Sequence, residues 1–361
     1  MSALCGDPGG EYRDNSVNIQ DLLGTELPII QAPMAGAQGS ALAIAVAQAG
    51  GLGSLPCGML GPEEMLAEID HIKRATELPY NLNFFCHTQP GAQVEAKARW
   101  RSALEPYYEE FGLSTKGHDP APQRVPFTEE IADLLAAIKP PVISFHFGLP
   151  SEALVQRVKS WGSVILGCAT TIEEARWLEQ RGADAIIAQG TEAGGHRGHF
   201  LSMDLAIQKD TRALVGELLE WVSLPVIAAG GIATANDVLE YSKLGAAGVQ
   251  VGTAFLQCPE ATTRSVHRAA LSSQAAKETE ITNVFSGRPA RGIVNRLIRE
   301  QGPISEIAPP FPLASDALAP LRAAAEERDS GDFSPLWAGT RAAACREAPA
   351  VEITRDLTSL L

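Results

Sequence analysis

The chain has no excess of positive charge: 29 Lys and Arg stand against 43 Asp and Glu, a formal net charge of −14. Nucleic acid and anionic membrane surfaces both require a basic footprint, so neither is an expected partner. Small anionic substrates stay open, because a local field can oppose the net charge. No apolar run approaches the roughly 18 residues of a membrane-spanning helix. The opening stretch MSALCGDPGGEYRDN also lacks an apolar signal-like segment, and residues 1–15 read as a loose polar tail. Cysteine pairing is missing as well. Cys5, Cys57, Cys86, Cys168, Cys258 and Cys345 form no CxxC and fit no zinc spacing. Scattered single thiols point to a reducing compartment, and a cytoplasmic location is expected. There is no GxSxG elbow, no HExxH and no clustered carboxylate set, so no metal site is expected. Cys57 is the thiol nearest a strand end, but nothing marks it as a nucleophile.

What is present is the composition of a globular chain: 361 residues, 45% hydrophobic, 20% charged, with 33 Gly and 24 Pro. That length suits one large domain and a smaller one. Short apolar runs alternate with helical stretches. LPIIQAPM, LGSLPC, YNLNFF, PVISFHF, SVILGCA, ADAIIAQG, PVIAAGG and AGVQVGT read as strands. SALAIAVAQAG follows the first, with Ser40 as its expected N-cap and Gly50 as its stop. GPEEMLAEIDHIKRAT has Pro62 and two acids in its first turn. MDLAIQKDTRALVGELLEW reads as one helix from Met203. Eight strand–helix units predict a parallel sheet, closed as a (β/α)₈ TIM barrel. An open doubly wound sheet is the rival fold, weakened because no GxGxxG follows the first strand.

Two segments fall outside the repeat. A charged amphipathic helix is inserted at about residues 90–123, and near Trp100 and Tyr107 it is either an interface, as in a homodimer, or a solvated face. From residue 261 to 361 a smaller, mainly helical second domain is expected to pack on a barrel spanning 16–260.

In such a barrel the chemistry sits at the C-terminal strand ends. Gly230 and Gly231, then Gln250, Val251, Gly252 and Thr253, end the last two strands. Glycine lets backbone N–H groups approach an anion, and helix N-termini add positive charge, so these turns suit a phosphate. Tight turns with no ligand are the plainer alternative. Pro33 fixes the backbone at the first strand end, and Met34 is suited to lie against a flat ring. Asn83 and Gln189 place amides at strand ends, where they meet a mixed polar ring edge or satisfy local backbone. The run QGTEAGGHRGHF ends the sixth strand with a glycine-rich loop expected to be mobile. His196 in it is the candidate acid, base or anion-binding group, with His199 second. His146 points into the barrel mouth or is a satisfied core histidine.

These residues resemble a known family. IIQAPMAG, AGGLGSL, NLNFF, SFHFGLP, AQGTEAGGHRGHF, IAAGGIA and GVQVGTAFL, in this order, are similar to nitronate monooxygenases of class I, formerly 2-nitropropane dioxygenases. The resemblance runs from about Leu27 through SGRPARG to LWAG. It implies an FMN-dependent barrel that oxidises alkyl nitronates with O2, propionate 3-nitronate foremost, through an anionic flavin semiquinone. It implies flavin contacts at Pro33, Met34, Asn83, Gln189, Gly194, Gly231 and Gln250 to Thr253, and a catalytic role for His196. His196 and Arg197 would bias the site positively toward the nitronate, and His196 would deprotonate neutral nitroalkanes. The chain departs from the family pattern at Ala37–Gln38 and at WAGT, places expected to touch substrate preference rather than the cofactor. The rivals are a flavin-dependent NAD(P)H:quinone or enoyl-thioester reductase, a flavin-free barrel enzyme for phosphorylated substrates, and a non-catalytic flavin-binding module.

Overall fold

The computed structural model describes residues 18–114 and 124–361. The expected tail at 1–15 and the end of the insert at 115–123 lie outside the described residues. The barrel strands are β1 (Ile29–Gln31), β2 (Gly53–Pro56), β3 (Tyr80–Phe85), β4 (Val142–His146), β5 (Val164–Ala169), β6 (Ala185–Gln189), β8 (Val226–Ala229) and β9 (Gly248–Val251). The short β7 (Gly195–His196) belongs to a second sheet with β10 (Thr279–Thr282) and β11 (Ala290–Ile293). The order β1-β9-β8-β6-β5-β4-β3-β2 is parallel throughout. A bridge from Ile30 to Leu52 closes the ring, with Gln31 N–H donating to Leu52 O at 2.9 Å. This is the expected (β/α)₈ barrel. Runs such as AIIAQ in β6 are buried on every residue, as strands covered on both faces must be.

Two helix starts differ from the sequence expectation. Ser40 is not a cap but the first helical residue. Its N–H donates to Glu68 Oε2 at 2.5 Å, so a carboxylate from the next helix does the capping. The helix expected from Met203 begins only at Thr211, because the Asp210 side chain accepts from Ala213 N–H at 2.8 Å and stops the helix there.

A second core lies outside the barrel. Trp100, Leu104, Tyr107 and Tyr108 of helix Val94–Phe111 pack with Leu297, Leu318, Leu321 and Phe333. Trp100 Nε1 donates to Ala314 O at 3.1 Å, and Tyr108 OH to Ala317 O at 2.6 Å. The face around Trp100 and Tyr107 is therefore neither an open interface nor solvated: helix Ala314–Glu326 of the same chain covers it. The terminal helix Ala350–Thr358 packs against helices Ser40–Gln48 and Ala235–Leu244 and joins the barrel core through Ile353 and Leu357. A boundary drawn at residue 260 leaves this helix outside the barrel on which it sits. Among the described residues, no helix is long and apolar enough to cross a membrane.

Candidate active site

A cavity of about 260 Å³ opens at the C-terminal ends of the barrel strands. Pro33, Met34, Asn83, His146, Gln189, Gly194, His196, Gly230, Gly231 and Gln250 through Thr253 all line it. The structure thus brings together the site residues singled out from the sequence, except Arg197 and His199.

The first strand end is braced from within. Buried Gln38 accepts from Met34 N–H at 2.8 Å and from Gln31 Nε2 at 2.7 Å, and donates to Ser54 O at 2.5 Å. Gln38 therefore shapes the turn that carries Pro33 and Met34, rather than meeting substrate at the mouth. On β3, Asn83 Nδ2 donates to Ser144 Oγ at 2.9 Å, which leaves its carbonyl oxygen without a protein donor among the described residues. Gln189 follows the second of its two expected readings, satisfying local backbone. Its Nε2 donates to His196 O at 3.0 Å and its Oε1 accepts Gly198 N–H at 2.7 Å, so both ends of the amide clamp the following loop.

The turns after β8 and β9 offer donors. Gly230 and Gly231 have φ of 125° and 68°, conformations that favour glycine. The helix beyond them is already capped: Asp237 Oδ2 accepts from Ala233 N–H at 2.9 Å and Thr234 N–H at 2.8 Å. The N–H groups of Gly231, Ile232, Gly252 and Thr253 donate to nothing among the described residues. Buried Gln250 Oε1 is likewise without a partner. Free donors at two adjacent turns and one orphaned acceptor fit the phosphate and the polar ring edge of a flavin nucleotide. Gly194 is also tightly packed: a Cβ there would stand 2.5 Å from Gly339 N, so the loop lies directly on the WAGT segment.

The histidine loop is tied to the rest of the chain. Strand β7 pairs with β11, His196 opposite Ala290 and Gly195 opposite Arg291. Glu174 Oε1 accepts from Phe200 N–H at 2.5 Å, and Glu192 Oε2 from Thr211 N–H at 2.9 Å. Arg197 is fully buried beneath the loop, donating to Gly190 O at 2.7 Å, Gln189 O at 2.8 Å and Gln208 Oε1 at 2.8 Å. It holds the backbone and does not reach the cavity, because all its charge-bearing nitrogens are used from below. His199 is also buried and does not line the cavity.

His196 is half-buried. Its Nε2 lies 2.8 Å from Ser286 Oγ, and its ring meets those of Phe311 at 5.3 Å and Trp337 at 5.4 Å. Desolvation, and then the nearby Arg124, hold its imidazole well below the usual histidine range. It is therefore neutral at neutral pH. His146 is also held low, at about 4, chiefly by burial, and its Nε2 lies 3.2 Å from His196 O. It both lines the cavity and supports the loop.

Positive charge comes from residues the sequence did not flag. Arg124, Arg264, Arg322 and Arg341 line the cavity against a single carboxylate, Glu326. In a chain of net charge −14 this is a local inversion of sign. Ser286 lies within the quoted SGRPARG motif and Trp337 within LWAG, so position in those motifs was their only signal. Arg124 had none.

The nitronate monooxygenase family model matches residues 16–359. A nitronate monooxygenase of Pseudomonas aeruginosa is 42% identical, covering 94% of this chain and 97% of its own. Another from Paraburkholderia phytofirmans is 40% identical, covering 93% and 92%. A solved nitroalkane oxidase from Streptomyces ansochromogenes superposes with a TM-score of 0.86 at 36% identity, covering 95% of this chain and 97% of its own. FabK from Thermotoga maritima follows at 0.70 and 26%, covering 94% of each. The motifs, the barrel and the cavity at its C-terminal rim agree with these matches, and the chain belongs to the nitronate monooxygenase family.

Proposed function

We propose that the cavity binds FMN and that the enzyme carries out oxidative denitrification of alkyl nitronates, propionate 3-nitronate among them, with molecular oxygen. The observation that carries this is a neutral imidazole, His196, set in a cavity whose charged lining is four arginines to one carboxylate. FMN when bound would supply the electron acceptor for the nitronate and the donor to O2. The free N–H groups of Gly231, Ile232, Gly252 and Thr253 would hold its phosphate, with Arg341 beside them, and Gln250 would meet the ring edge.

The chain's own groups divide the remaining work. A nitronate is an anion, and the arginine-lined cavity attracts it. His196 does not supply that attraction, because its imidazole is uncharged; nor does Arg197, which faces away. A neutral imidazole suits proton abstraction from a nitroalkane. Ser286 Oγ lies 3.2 Å from Arg288 O and accepts Arg288 N–H at 3.3 Å. With its hydroxyl proton on that carbonyl, Ser286 accepts from His196 Nε2–H and leaves Nδ1 to take the α-proton. Phe311 and Trp337 flank the ring and keep bulk water from it.

Oxygen uptake by the yellow, flavin-loaded enzyme tests this. Propionate 3-nitronate should drive uptake, and NADH with a quinone should not. His196→Asn should cut nitroethane turnover by about 100-fold or more, the usual worth of a general base, while turnover of ethylnitronate falls far less. Unchanged nitroethane turnover would remove the base role. Rapid anaerobic bleaching by NADH would favour the reductase alternative.

A further inference from the structure

We infer that Arg124 is a specificity-determining residue whose guanidinium receives a second anionic group, a carboxylate, at the far end of the nitronate's alkyl chain. The inference rests on the nitronate reading above.

Arg124 is held in place but makes no ion pair among the described residues: the Asp316 carboxylate, whose charge it feels, is bonded instead to Lys97 at 3.2 Å. Its carbonyl accepts Gln89 Nε2 at 2.7 Å, its Nη1 lies 3.3 Å from Ser315 Oγ, and its guanidinium sits 5.5 Å from the Phe311 ring centre. Its Nε and Nη2 have no partner among the described residues. The other cavity arginines differ. Arg264 and Arg322 share Glu326 at 2.6 and 2.9 Å, and Arg341 lies 3.5 Å from Asp237. A partly desolvated guanidinium with no carboxylate bonded to it is costly unless a ligand completes it. Its position says which part of a ligand. Phe311 is in ring contact with His196 and lies under Arg124, so the imidazole and the guanidinium border one aromatic wall. No hydrogen bond joins Arg124 to His196. A substrate with its reacting carbon at His196 would run its chain along Phe311 and present its tail to Arg124. Guanidinium pairs with carboxylate in a planar, two-pronged geometry that a methyl end cannot supply.

The test compares propionate 3-nitronate with propyl-1-nitronate, which has the same three carbons with a methyl in place of the carboxylate. For Arg124→Gln, the ratio of kcat/KM for the carboxylated over the methyl substrate should fall about tenfold or more, mainly through KM, as expected for a lost charge-assisted bond. Arg124→Lys should recover part of that ratio. In the unaltered holoenzyme, propionate should inhibit propyl-1-nitronate oxidation competitively, a readout that does not depend on any variant folding. An unchanged ratio, or no inhibition by propionate, overturns the assignment. Oxygen uptake with neither nitronate would instead overturn the nitronate reading itself.

Discussion

His196 shows how far a single residue can be read from sequence. Its loop, its strand end and its neighbouring glycines were legible because barrel topology places strand ends at one rim. Its charge state was not. That depends on desolvation and on Arg124, which lies 72 positions away in the chain and carries no local signal. The charge state makes a prediction. An imidazole held well below 6.5 stays unprotonated as the medium is acidified through that value. The acid limb of kcat/KM for nitroethane should therefore lie well below pH 6.5, measured by oxygen uptake across pH 5 to 8. An acid limb at or above 6.5 would show that the bound state or another group sets the base. Gln189 and Arg197 teach a related lesson. Both hold the loop, Gln189 from the cavity wall and Arg197 from beneath it, because a polar residue next to glycines can be claimed by backbone groups that only the fold brings near.

At the scale of elements, all eight barrel strands were legible, since each is a short apolar run bounded by turn residues. The hairpin β10–β11 and its pairing with β7 were not, because β7 is two residues long and its partner lies about a hundred positions on. That pairing turns a glycine-rich loop into a fixed wall carrying His196. The insert was misread for the same reason: its apolar stripe looked like a free face, when helix Ala314–Glu326 covers it. Trp100 is wholly buried there and bonded through its indole N–H. Trp100→Ala should cost about 3–5 kcal/mol by cavity formation and lost contact. Urea unfolding followed by intrinsic fluorescence should show the midpoint falling accordingly. A loss under about 1 kcal/mol would mean that the second core contributes little to stability.

For the whole molecule, the histidines couple folding to pH. His87, His146 and His267 are held at about 4 and His199 at about 3, and His196 is also held low, each chiefly by burial. Folded-state values below the ordinary 6.5 mean that the unfolded chain binds protons the folded chain refuses. Stability is therefore fully present above 6.5 and drains away as pH falls from 6.5 toward 4, by about 1–2 kcal/mol per histidine at pH 5. The Tm should drop markedly between pH 7 and pH 5. A flat Tm over that range would mean that these side chains gain protons in the folded state. The functional reading depends on the same rim, where buried imidazoles stand beside four arginines and one carboxylate. Its most direct test is anaerobic mixing of the flavin-loaded enzyme with propionate 3-nitronate, followed by absorbance and then by admission of O2. Rapid loss of the oxidised-flavin band with the nitronate, full return with O2, and no such change with NADH are expected. An oxidised band indifferent to the nitronate but bleached by NADH would contradict the functional reading.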